Sequence, residues 1–215
     1  MQTIGHRGAK GYSPENTLHS FQKALNLGCH GIELDVHLSA DNIPIVIHDN
    51  SIDRTTTGSG LVRNFTAHQL QLYGIPSLQD VLELVNKQCF INIEIKDSTA
   101  TPFVLELLDQ LKVEAHWYQI SSFHWEVLSY CKSQNKNIAV AVLTDSSIND
   151  ALAFAKTIKA QSINAYYKLI NQEMVTLMHQ NKLLVYAWTV NEPEDISKMK
   201  RFNVDGIISD YPDRI

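Results

Sequence analysis

The sequence predicts an α/β fold: a closed parallel (β/α)8 barrel with a short insertion after the second strand and a truncated last helix. Eight short β-branched runs alternate with amphipathic helical stretches, the pattern of βαβ units. Outside one gap, strand starts recur roughly every 25 residues, the rhythm of a lean closed barrel. No Pro/Gly/Ser linker divides the 215 residues, so they are expected to form one domain, 1–215.

The first strand is expected at residues 3–6. Ser13-Pro14-Glu15 then sets a cap residue before Pro at the first helical position, and Leu18, Phe21 and Leu25 make an apolar stripe that stops at Gly28. The second strand spans 31–36. Before the third, at 90–96, the rhythm breaks for an apolar run at 45–48 and a Gly- and Thr-rich loop at 55–60. This insertion reads as a long strand, a turn at 40–42 and a returning strand. Ser77-Leu78-Gln79-Asp80 resembles a capping box, with Leu78, Val81, Leu82 and Val85 on one helical face. Thr101-Pro102 opens the next helix. Strand 117–121 is followed by a helix that Ser122 is placed to cap. Strands 138–143, 162–166 and 184–189 lead to helices opened at 147–150, Asn171 and Asn191-Glu192-Pro193. The last strand, 206–209, lies six residues from the final Ile215, which leaves room only for a vestigial helix. A doubly wound open sheet is the competing topology, disfavoured because no Gly-rich phosphate fingerprint follows the first strand.

Composition narrows the function. Eighteen Lys and Arg against 23 Asp and Glu give a net charge of −5, against a nucleic-acid or anionic-membrane partner. No apolar run approaches the ~20 residues of a membrane span. The first twenty residues lack the apolar block of a signal peptide, and the three cysteines are widely spaced. Together they point to a cytoplasmic protein with reduced thiols.

Strands covered on both faces should be apolar throughout, yet two are not. Ile32, Leu34 and Val36 alternate with Glu33 and Asp35, and Ile91, Ile93 and Ile95 alternate with Asn92, Glu94 and Lys96. The apolar sides must meet the helices, so the carboxylates point into the barrel. Glu33 and Asp35, about 6–7 Å apart, would repel by roughly 2–3 kcal/mol at an effective dielectric of 20. Glu94, placed two strand positions over, adds a third negative charge. Such an oxygen-only set selects one hard divalent cation, Mg²⁺ or Ca²⁺; the alternative for Glu94 is a structural pair with Lys96. His6 and His48 end strands at the C-terminal rim, where the active sites of such barrels lie. Two proton carriers, a cation site, Arg7 and Lys96 suit transfer at an anionic phosphorus centre.

These residues belong to a longer ordered set: His6-Arg7-Gly8, Pro14-Glu15-Asn16-Thr17, Glu33-Leu34-Asp35, His48-Asp49, Arg54-Thr55-Thr56-x-Gly58-x-Gly60 and Ile93-Glu94-Ile95-Lys96, then 187–191 and 205–213. The set resembles the signature of the glycerophosphodiester phosphodiesterases over nearly the whole chain. The resemblance implies metal-dependent hydrolysis of a small-molecule glycerophosphodiester to glycerol 3-phosphate and an alcohol. The family's metal carboxylates fall on Glu33, Asp35 and Glu94, its acid/base pair on His6 and His48, and its phosphate-binding cations on Arg7 and Lys96. Glu15 and Asn16 stand either near the substrate or in the first turn of a helix, and Trp188 either walls the glycerol pocket or packs in the core. The segment 66–74 is shorter than in many family members, which implies an open pocket for small, water-soluble head groups. Alternatives are a lysophospholipase D-like or sphingomyelinase D-like phosphodiesterase and, from another class, a non-catalytic barrel that binds a phosphorylated ligand.

Overall fold

The computed structural model describes all 215 residues. Its nine strands are β1 (Gln2–Gly5), β2 (Gly31–Leu38), β3 (Pro44–Val46), β4 (Phe90–Ile95), β5 (Tyr118–Ser122), β6 (Val140–Thr144), β7 (Ser162–Tyr166), β8 (Leu184–Trp188) and β9 (Gly206–Ser209). All except β3 are parallel, and β1 pairs with both β9 and β2, which closes a ring of eight. The helices are α1 (Leu18–Asn26), α2 (Ala67–Gln71), α3 (Leu78–Val85), α4 (Thr101–Gln110), α5 (Trp125–Gln134), α6 (Ile148–Ile158), α7 (Gln172–Gln180) and α8 (Pro193–Phe202). Only a 3₁₀ turn, Pro212–Arg214, follows β9. No helix is long and apolar enough to cross a membrane.

The expected insertion is present. β2 runs two residues past its expected end because β3 pairs antiparallel with its upper part, Val36 opposite Val46 and Leu38 opposite Pro44. β1 pairs with β2 only at Gly31 and Ile32, so β3 takes over the same edge above it. β3 therefore stays outside the ring, and β4 is the direct neighbour of β2, with Asp35 opposite Glu94. The expected two-position separation is corrected to adjacent strands. The insertion has its own small core of Ile45, Ile47, Ile52, Val62, Leu70 and Ile75, separate from the main one.

Two helix starts differ from expectation. α1 begins at Leu18, capped by the Thr17 side chain, not at Ser13. Asn16 adopts a left-handed φ of 56° and its N–H donates to the Arg7 carbonyl, so the chain before Thr17 cannot be helical. Ser122 does not cap α5. Its hydroxyl donates to the Ile95 carbonyl and accepts from the His124 N–H, and the helix starts at Trp125. The two capping boxes, at Thr66 and Ser77, each satisfy two of the free N–H groups that open α2 and α3.

The apolar faces of the strands, including Ile32, Leu34, Ile91 and Ile93, pack under the helices in the main core. Inside the barrel, Ile4, Tyr186 and Ile208 form a small apolar cluster on the β1, β8 and β9 side, while the side lined by β4, β5 and β7 is polar. Asn92 donates to Ser121 Oγ (3.0 Å) and accepts from Gln119 (2.8 Å) and Asn164 (3.3 Å), while Ser162 donates to Gln119 (3.0 Å). All five side chains are buried, so their mutual hydrogen bonds replace those lost to water. The three cysteines are buried and unpaired.

One glycine is dictated by geometry. Gly8 has φ +84°, and a Cβ there would lie 2.4 Å from Ser20 Oγ and 2.6 Å from the Ser20 backbone carbon. It lets the chain turn sharply after Arg7. Gly8→Ala is expected to cost more than about 1 kcal/mol in urea unfolding, since both strain and clash oppose it; an unchanged midpoint would show that the turn relaxes freely.

Candidate active site

The predicted residues converge at the C-terminal ends of β1, β2 and β4. His6 and Lys96 are one residue past β1 and β4, and their N–H groups still donate to Ser209 and Val36 carbonyls, which fixes their backbones. His48 is two residues past β3.

Glu33, Asp35 and Glu94 are all buried, and one oxygen from each lies within 4.8 Å of the others. Glu33 accepts the Arg7 N–H (2.9 Å), and Asp35 Oδ2 accepts from Asn16 (2.9 Å). Asp35 Oδ1 is buried without a hydrogen-bond partner. Burial, reinforced by the other two charges, holds the Glu33 carboxyl well above the usual range. Burial and Asp35 push Glu94 up to about 7, against the pull of Lys96, whose ammonium is 2.8 Å away. Crowded carboxylates and an orphaned oxygen are what a hard cation relieves, and these three residues form an acidic cluster fit to hold one. Lys96 does not pair with Glu94 alone. Its Nζ is also 3.9 Å from Asp35 Oδ1 and 3.3 Å from His48 Nε2.

Each histidine is backed by a carboxylate. His6 Nδ1 is 2.6 Å from Asp210 Oδ1, and Asn191 donates to Asp210 Oδ2 (2.8 Å). Burial alone would raise the Asp210 carboxyl, but its hydrogen bonds to His6 and Asn191 hold it below the usual range. An ionised carboxylate only accepts, so Nδ1 carries the hydrogen and Nε2 is left as the open nitrogen. Burial lowers the His6 imidazole below its ordinary value despite Asp210, which favours the neutral ring. His48 Nδ1 is 2.7 Å from Asp49 Oδ1, and His37 Nε2 is hydrogen-bonded to the His48 carbonyl at 3.0 Å.

Both imidazoles line one cavity of about 100 Å³, together with Arg7, Glu33, Glu94 and Lys96. Phe123 and Trp188 form its apolar wall, edge to face with centroids 5.6 Å apart. Trp188 is thus at the cavity, anchored by its Nε1 donating to the Asn164 carbonyl (2.9 Å). Glu15 and Asn16 lie in the loop before α1, outside any helix. Glu15 stands behind the cavity and accepts from Arg7 (2.8 Å) and Arg54 (2.7 Å). Sequence reasoning gave no role to Asp49, Asp210, Asn191 or Phe123. Asp49 directly follows His48, and an acid next to a strand-end histidine is the signal available for it; Asp210 follows the last strand with no histidine beside it, and no local signal points to it.

Comparison with known proteins shows what the chain is similar to. The family model described as "Glycerophosphoryl diester phosphodiesterase family" matches residues 6–214. A glycerophosphodiester phosphodiesterase of Caldanaerobacter subterraneus subsp. tengcongensis is 34% identical over 99% of this chain and 95% of its own length. Among solved structures, an Oleispira antarctica phosphodiesterase in complex with the product sn-glycerol-3-phosphate superposes with a TM-score of 0.90 at 27% identity, covering 100% of this chain and 95% of that one. A Thermotoga maritima glycerophosphodiester phosphodiesterase gives 0.88 at 29% identity, covering 99% and 96%.

The ion pairs of Glu15 set a pH dependence. Burial disfavours its charge, but hydrogen bonds and charge from Arg54 and Arg7 outweigh that and lower it from 4.5 to about 2. A depressed carboxylate stabilises the fold fully above its unfolded value and loses that contribution as pH falls through its folded one. Glu15→Gln should therefore lower the melting temperature at neutral pH, and its deficit against the parent should shrink from about pH 4.5 towards 2. A deficit that is constant with pH would mean that Glu15 acts by packing.

Proposed function

The chain belongs to the glycerophosphoryl diester phosphodiesterase family, and from that premise we propose that it hydrolyses glycerophosphodiesters to glycerol 3-phosphate and a free alcohol, as one catalytic domain over 1–215. The observation that carries this reading is the meeting of two carboxylate-backed histidines, two fixed cations and an acidic cluster around one small cavity.

In the proposed chemistry Arg7 and Lys96 bind the phosphate and take up the charge that develops on it. His6, neutral and with Nε2 open, accepts the proton of the attacking hydroxyl, which comes from water or from the neighbouring glycerol carbon. His48 gives a proton to the leaving oxygen. In the substrate-free arrangement the Lys96 ammonium, which can only donate, faces His48 Nε2; a bound phosphate competes for that ammonium and frees Nε2 to take up a proton from solvent, the proton it then gives to the leaving oxygen. Phe123 and Trp188 offer an apolar wall for the carbon face of glycerol. Glu33, Asp35 and Glu94 would hold one Mg²⁺ or Ca²⁺, which supplies Lewis-acid polarisation of a phosphate oxygen when bound. The short segment 66–74 carries only α2, and supports a preference for small, water-soluble head groups. Buried, unpaired cysteines fit a reducing, cytoplasmic compartment.

Release of glycerol 3-phosphate from glycerophosphocholine tests the reading. His6→Ala and His48→Ala are each expected to lower kcat by about 10²–10⁴ with unchanged circular dichroism; a variant near full activity removes that histidine from the scheme. EDTA should abolish turnover, and Mg²⁺ or Ca²⁺ should restore it. Faster turnover of long-chain lysophospholipids than of glycerophosphocholine or glycerophosphoinositol would overturn the head-group preference.

A further inference from the structure

Arg54 has no part in the chemistry above, yet all three nitrogens of its guanidinium donate hydrogen bonds. Nε donates to Asp49 Oδ2 (2.6 Å) and Nη2 to Asp49 Oδ1 (3.1 Å), while Nη1 and Nη2 donate to Glu15 Oε2 (3.0 Å) and Oε1 (2.7 Å). The side chain is 47% exposed. Ion pairs of a side chain this exposed are screened by solvent and add little to stability, so a double fork of this quality is better understood from what it connects.

Asp35, Arg7, Glu15, Arg54, Asp49, His48, Lys96 and Glu94 follow one another in unbroken contact. The pairing of β2 with β4 sets Asp35 opposite Glu94 and closes this chain into a ring, of which Arg7, His48, Lys96 and Glu94 line the cavity. Arg54 joins its two halves, the loop before α1 and the insertion. The two halves depend on it unequally. Without Arg54, Glu15 keeps Arg7 and has Lys10 at 3.7 Å, whereas Asp49 keeps only His48. Once phosphate engages Lys96, the Asp49–Arg54 unit is the remaining side-chain hold on the His48 ring.

We propose that Arg54 is a positioning residue for proton donation: by fixing both oxygens of Asp49 it fixes the plane of the His48 imidazole and the direction of Nε2. Small misplacement of a group in proton transfer is costly, since an ångström is worth up to about 10²-fold in rate. The inference rests on His48 being the donor. The proton passes from Nε2 to the alcohol oxygen as the P–O bond to that oxygen breaks, so a leaving group that departs as a stable anion needs neither His48 nor Arg54.

The experiment compares glycerophosphocholine with p-nitrophenyl glycerophosphate, whose phenolate leaves unprotonated. Arg54→Gln is expected to lower kcat on glycerophosphocholine by about 10- to 100-fold, with KM changed by less than about threefold, and to leave kcat on the aryl ester within about threefold. Arg54→Lys, which keeps the charge but not the fork, should fall between. Asp49→Asn should show the same substrate dependence, and adding Arg54→Gln to it should cost little more. Melting temperatures confirm that each variant is folded, and Arg54→Lys carries the comparison if Arg54→Gln is not. Equal losses on both substrates, or no loss, overturn the positioning role. If instead the parent enzyme turns over neither substrate, or His48→Ala is as damaging on the aryl ester as on the choline ester, the underlying assignment of activity or of donor fails, and the inference falls with it.

Discussion

Three buried carboxylates, with one oxygen from each within 4.8 Å of the others, are the constraint around which the rest of this molecule is arranged. Like charges crowded in a low-dielectric setting repel strongly, and burial adds a desolvation cost for each. Everything near them answers that cost. Arg7 supplies its N–H to Glu33 and sets its guanidinium beside Asp35. Asn16 leaves helical geometry to donate to Asp35. Lys96 reaches Glu94 from two residues further along the chain. One oxygen is still unanswered. A divalent cation would complement this set, and the same Arg7 and Lys96 side chains also face the cavity.

The same logic explains the polar floor. A barrel lined by carboxylates at its mouth cannot pass abruptly to hydrocarbon without leaving them still harder to solvate. Asn92, Gln119, Ser121, Ser162 and Asn164 form a graded interior in which each dipole is matched by its neighbour. Hydrophobic stabilisation is therefore concentrated outside the strands, under the helices.

How far the sequence foretold this depends on the kind of signal. Strict alternation in residues 31–36 and 90–96 made the barrel and its inward acids legible, because period two assigns a face without any partner being known. The start of α1 was misplaced because Ser13-Pro14-Glu15 is a sound local helix signal. It is overridden by Asn16, whose conformation is set by Asp35, nineteen residues on. The neighbour of Glu94 was misjudged for a similar reason: whether a returning strand enters the ring or lies above it is decided by pairing, which local pattern does not encode. Asp210 lay beyond reach as the partner of His6, since β1 and β9 meet only when the ring closes.

The insertion has a consequence of its own. β3 hangs on the upper edge of β2, outside the closed ring, and its six-residue core is separate from the large one. His48 is thus mounted on a small annex while His6, Arg7 and the acids are built into the masonry. The annex rests on that small core and on Val46, which reaches the main one, and no barrel closure defends it, features that favour local opening ahead of global unfolding. Heat or denaturant would silence such a molecule while its staves still stood together.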